Sequence, residues 1–120
     1  MVEGDAVTRA PLVARLSTSL GIPGSLLTSR LTRLECRSKP LRAGDVATLS
    51  QFDMFFAGVE IVLVELSATV VERATHLRAK YNLKTPDALH FATAVEASAS
   101  AFLTGDRALS RCTEVPVEVL

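Results

Sequence analysis

A chain of 120 residues with 48% hydrophobic content and positive mean hydropathy supplies one domain with a sizeable core, and no second domain is expected. Its 13 basic and 13 acidic residues leave no formal net charge, so a polyanion partner would have to be held by a local patch rather than by the whole-molecule field. Cys36 and Cys112 lack CxxC partners, which argues against a zinc site or a disulfide scaffold. The acidic start MVEGDAVTRAP and the absence of a membrane-spanning apolar run argue against a signal peptide or an anchor. The expectation is a soluble cytoplasmic protein with reduced thiols.

In chain order, Leu12, Val13, Leu16 and Leu20 recur at helical spacing and predict a first helix over residues 6–20, stopped by Gly21 and Pro23. Residues 24–28 predict a short strand. Ser29 then caps a helix that runs to about Ser38 before Pro40 interrupts it. This helix carries Glu35 and an apolar stripe of Leu31 and Leu34. Five basic residues, Arg30, Arg33, Arg37, Lys39 and Arg42, surround the acid. Residues 45–56 predict a third helix with an aromatic face of Leu49, Phe52, Phe55 and Phe56, and Gly58 ends it. Residues 61–64 read as a strand. Ser67 or Thr69 opens the next helix, Thr69 having Glu72 in capping-box position, and Val70, Ala74, Leu77 and Tyr81 form its buried stripe.

Residues 84–107 predict a helix followed by a strand, with an acid at the start of one and at the end of the other. Thr85 is the expected N-cap and Pro86 suits the first helical position, so Asp87 falls in the first turn. Ala88, Leu89, Phe91, Ala92, Ala94 and Val95 cover most of the helix circumference, which demands packing on more than one side. Residues 101–104 then make a buried parallel strand ended by Gly105 and Asp106. Ligands in open α/β sheets collect just beyond the carboxyl ends of strands, so Asp87 and Asp106 are expected to converge there. Residues 106–112 suit a short helix, and residues 115–120 a strand that Pro116 pushes toward a sheet edge.

Helices alternating with short apolar strands define an α/β class, here a three-layer domain with a small parallel sheet and right-handed crossovers. The chain opens in a helix where a doubly wound domain would open in a central strand. That strand is therefore expected to lie upstream of Met1.

Three segments carry a family resemblance: LTSRLTRLECRSKPLRAGD, LRAKYNLKTPDALHFATAV and AFLTGDRAL. Together they resemble the PIN domain, specifically VapC-type toxins of prokaryotic toxin–antitoxin pairs, over nearly the whole chain. The combination of a YxLxxxDALH-like segment with T-x-D at the next strand end is the specific part. The resemblance implies a metal-dependent endoribonuclease whose acids meet at the carboxyl edge of the sheet. By position, those acids are Glu35, Asp87 and Asp106. It also implies a homodimer, a cognate antitoxin seated in the active-site groove, and RNA as substrate. Two departures stand out. Gly105 replaces the family's usual Asn, and the family's first acid, at the end of its opening strand, has no counterpart. Residues 2–5 match the family beyond that strand, so residues 1–120 read as a single PIN-like domain that is incomplete at its N-terminus.

The chemistry accounts for such a cluster. Carboxylates brought close together raise one another's pKa, and a divalent cation relieves that repulsion. Oxygen-only ligands favour Mg²⁺ or Mn²⁺, which lower the pKa of a bound water and neutralise charge developing on a phosphodiester. Glu35, Asp87 and Asp106 are the candidate ligands or water-holders. Arg33, Arg37, Arg107 and Thr104 are the candidates for holding substrate. The acids and the arginines each have a plain structural alternative: Asp87 favourable with a helix dipole, Asp106 capping the next helix, Glu35 paired with its basic neighbours, and the arginines lining a solvated face. His90 reads as a hydrogen-bonded core histidine and His76 as exposed, while the phenylalanine face is core or partner surface. Two classes of function follow: a ribonuclease toxin, or a PIN-like module that binds antitoxin or RNA without cleavage because the first acid is absent.

Overall fold

The computed structural model describes residues 13–15, 26–58 and 61–120. The elements are β1 (Val13–Arg15), β2 (Leu26–Ser29), α1 (Arg30–Ala43), α2 (Val46–Phe56), β3 (Ile61–Val64), α3 (Ala68–Tyr81), α4 (Thr85–Glu96), β4 (Ala101–Thr104), a 3₁₀ turn (Arg107–Arg111) and β5 (Val117–Val119). The five strands form one sheet in the order β3-β2-β1-β4-β5. β2 runs parallel to β3 with Ser29 opposite Val64, and β4 runs parallel to β5 with Thr104 opposite Val119.

β1 lies in the middle, antiparallel to both neighbours, with Ala14 opposite Leu27 on one side and Phe102 on the other. This corrects two expectations. Residues 13–15 are strand rather than part of a first helix, and the sheet is mixed rather than wholly parallel. The central place that the sequence reading left open is occupied. The rest of the expected helix over residues 6–20 lies outside the described residues, as does Asp5. Local helical periodicity gives way here because β2 and β4 each need a ladder partner, and unpaired backbone groups inside a sheet are costlier than a lost helical turn.

Adjacent residues of β3 show that helices cover both faces. Leu63 packs into a small cluster with Cys36, Phe52, Phe55 and Phe56, whereas Val64 packs into the main core with Leu27, Val70, Leu77, Phe91, Phe102 and Leu109. Strand side chains alternate between faces, so α1 and α2 hold the first cluster and α3 and α4 the second. Helix α4 is the most deeply buried: Ala88, His90, Phe91, Ala92, Thr93 and Ala94 are all inside.

Two helix boundaries differ from the sequence reading. Pro40 does not interrupt α1, which continues to Ala43 with Pro40 buried inside it. The end beyond it is closed by Gly44 at φ 68°, where the Gly44 amide donates to the Leu41 carbonyl at 3.2 Å and the Asp45 amide to the Pro40 carbonyl at 2.9 Å. This is a Schellman closure, and it needs the left-handed conformation that glycine adopts without steric cost. The N-cap of α4 is Lys84, not Thr85, and no side chain caps it. The Thr85 hydroxyl instead accepts from Arg78 Nε at 3.2 Å. Ser67, rather than Thr69, caps α3 by accepting from the Val70 amide.

Phe91 and Phe102 meet edge to face, with centroids 5.2 Å apart and planes at 86°. Replacing Phe102 with Ala removes a fully buried ring from this pair, so urea denaturation is expected to show a loss of about 3–5 kcal/mol. Met54→Ala, at a side chain that is 75% exposed, is expected to stay within about 0.5 kcal/mol of the parent.

Candidate active site

Burial of α4 fixes the two features that matter on it. Asp87 stands half-buried in the first turn, and His90 follows one turn later, 3% exposed. Residues three apart share a helix face, so the acid and the imidazole belong to the same side of α4. That side meets α1 along a seam of polar residues spaced by three: Ser29, Thr32 and Glu35. His90 Nε2 lies 2.8 Å from Glu35 Oε1, while Nδ1 faces the hydroxyls of Thr32 at 3.3 Å and Ser29 at 3.5 Å. Ser29 also caps α1, accepting from the Leu31 amide at 2.9 Å.

Asp106 follows β4 and is placed by a buried threonine. Thr104, 0% exposed, accepts the Asp106 amide at 3.0 Å, and Asp106 Oδ1 in turn accepts the Ala108 amide at 2.8 Å. Thr104 is thus enclosed and its hydroxyl is directed to the backbone; its role is to shape the turn that carries Asp106. Asp106 caps the 3₁₀ turn as the structural alternative anticipated, with its side chain exposed.

The acids sense one another. The Asp87 carboxyl is held above its ordinary range, first by burial and then by the charge of Asp106, with Glu35 adding to the effect and His90 and Lys84 opposing it. No group of three histidine, cysteine, aspartate or glutamate side chains among the described residues is close enough to hold one metal ion. Asp87 and Asp106 offer oxygen donors of the kind a hard cation takes, and a cation between them would relieve their mutual repulsion. Glu35 has one oxygen bound to His90.

The arginines divide. Arg37 Nε and Arg33 Nη2 both reach Asp53 Oδ1 on α2, at 2.8 and 3.4 Å, and tie α1 to α2. Arg107 is exposed, and its side chain makes no bond to the described residues. Asp53 as the acceptor of two guanidiniums was not foreseen from sequence, and neither was the His90–Glu35 bond. The signal for the second was present in the polar spacing 29, 32, 35, which sets three hydrogen-bonding side chains along one face of the helix. His76 is exposed, as expected. Cys36, buried beside Glu35, has its thiol pushed up to about 11, mainly by burial.

The PIN domain matches residues 4–115. The chain belongs to the PIN-domain family. Among solved structures it is similar to a chain of a toxin–antitoxin complex from Klebsiella pneumoniae, at 24% identity and a TM-score of 0.58, over 72% of this chain and 68% of that one. A search of the curated proteins gave no match.

The raised Asp87 carboxyl has a sign that can be measured. The native state holds this proton more tightly than the unfolded chain, so the group's stabilising share is complete below the ordinary carboxyl range and is lost as pH climbs through the folded value. At neutral pH the ionised side chain therefore costs stability. Asp87→Asn is expected to melt a few degrees above the parent at neutral pH, with the gap closing in acid; thermal melts at the two conditions check both halves.

Proposed function

We propose that this chain is a metal-dependent endoribonuclease of the VapC toxin type, cleaving RNA phosphodiesters with a carboxylate-held Mg²⁺ or Mn²⁺. PIN domains are generally nucleases and typically depend on a divalent metal. The observation that carries the reading is the placement of Asp87 in the first turn of the buried α4 and of Asp106 just beyond β4, where burial and the Asp106 charge hold the Asp87 carboxyl above its ordinary range. Such a carboxylate costs stability unless a cation offsets it, which is the usual mark of a functional rather than a structural acid.

Asp87 and Asp106 would hold the metal, with Glu35 as a further ligand or as a holder of water. When bound, the ion lowers the pKa of a water and neutralises charge on the phosphodiester. Arg107, exposed next to Asp106 and without a side-chain partner among the described residues, is suited to a phosphate oxygen. Arg33 and Arg37 are bound to Asp53, so their contribution would require that link to open.

The antitoxin partner rests on the description of the similar structure as a toxin–antitoxin complex. Homodimerisation is favoured by the outer side of α1 and α2, where Leu34, Leu41, Val46 and Met54 are exposed while Phe52 and Phe56 turn inward. A cytoplasmic location agrees with two free buried thiols and with the absence, among the described residues, of a helix long and apolar enough to cross a membrane.

A second reading has its own support. Because no three-acid group assembles among the described residues, the chain would bind antitoxin or RNA without cleaving it. Calorimetry with Mn²⁺ and a cleavage assay on single-stranded RNA separate the two. A nuclease binds the ion, cleaves only with it, and loses more than tenfold in Mn²⁺ affinity, about 1.4 kcal/mol, on Asp87→Asn. RNA retention with no metal-dependent cleavage by the parent would establish the binding module instead.

A further inference from the structure

Glu35 is set apart from the other acids around it. Helix α1 presents Arg30, Arg33 and Arg37 within two turns of Glu35, yet none of them takes its carboxylate. Arg30 goes to Glu65 at 2.8 Å, and Arg33 and Arg37 go to Asp53. Glu35 is bound instead by one buried ring from another helix. A surface glutamate among arginines gains by pairing with any of them in several geometries, each worth little. A single bond to an imidazole with no freedom to turn gives one geometry.

The ring has that fixity. Its side chain is 2% exposed, against 33% for that of Glu35. Both nitrogens face polar atoms of α1: Nδ1 the hydroxyls of Thr32 and Ser29, and Nε2 the carboxylate. A carboxylate only accepts, so Nε2 carries the hydrogen; hydroxyls can donate to or accept from Nδ1 as required. Turning the ring over would set Cδ2–H against the two hydroxyls and leave Glu35 facing Cε1–H, so both polar contacts would be lost at once. The second carboxylate oxygen of Glu35 has no partner among the described residues, and its charge is felt at Asp87, one turn before His90 on α4.

We propose that His90 is a positioning residue which donates Nε2–H to Glu35 and so holds that carboxylate in a fixed relation to Asp87, leaving its other oxygen for a metal ion or a bound water. The proposal rests on the nuclease reading for what Glu35 then does, but the orientation itself is independent of it. The arrangement parallels the way histidines and carboxylates hold one another around metal sites, where loss of the outer partner lowers metal affinity by about 10–100-fold.

The test uses the metal-free full chain first. Long-range ¹H–¹⁵N spectra of the imidazoles are expected to show His90 with Nε2 protonated and slow to exchange, and Glu35→Ala is expected to speed that exchange while leaving the fold intact by circular dichroism. An unprotonated Nε2, or exchange unaffected by Glu35→Ala, overturns the proposal, whether or not the parent cleaves RNA. Mn²⁺ calorimetry then compares variants. Gln at position 90 places an amide donor near the Nε2 site and Asn places one near Nδ1. His90→Gln is expected to stay within about threefold of the parent, while His90→Asn is expected to lose about tenfold or more. Equal affinity in folded His90→Asn and parent overturns the role at the metal. A parent that binds no Mn²⁺ sinks the nuclease reading, and the spectra still decide how Glu35 is held.

Discussion

A helix buried on most of its circumference cannot adjust its position to suit a charge at its end. Helix α4 is in that situation: Phe91 locks against Phe102 of β4, and Ala88, Ala92 and Ala94 leave no slack around it. The packing that stabilises the domain also keeps Asp87 close enough to feel Asp106 and Glu35 at a place where water reaches it only in part. Hydrophobic burial thus supplies the free energy that holds like charges near each other, and the electrostatics at the sheet edge follow from it.

The cations on α1 are arranged in keeping with this. Asp53 draws Arg33 and Arg37 toward α2, joining the two helices of the smaller cluster over Cys36, Phe52 and Phe56. Those pairs are partly exposed and contribute little to stability singly. Their effect is on placement: with Asp53 as acceptor, neither guanidinium pairs with Glu35, whose carboxylate is left to His90.

The elements with a strong single period were legible in the sequence. Residues 45–56, 61–64 and 101–104 read correctly because one face or one run of apolar residues dominates each, and Asp87 and Asp106 were placed by turn chemistry and strand ends alone. What failed did so because tertiary demand overrode a local rule. Val13 and Leu16 have helical spacing, yet residues 13–15 serve the vacant middle of the sheet. Pro40 normally stops a helix, yet Gly44 four residues on provides a better end. Side-chain pairings were the least legible: that Arg37 chooses Asp53 and Glu35 chooses His90 depends on which helix lies across from α1, and spacing along one helix does not contain that information.

The two thiols fall one on each side of the sheet. Cys36 belongs to the cluster under α1 and α2, and Cys112 to the main core. Burial suppresses ionisation of both, so neither forms the reactive thiolate while its surroundings stay closed. Each sulfur therefore reacts with an alkylating reagent only when its own layer opens, and the ratio of the two labelling rates reads out whether the layers breathe together as one cooperative unit or the smaller one opens first. The chain thus carries its own pair of clocks for local unfolding, one per face, with no engineered probe required.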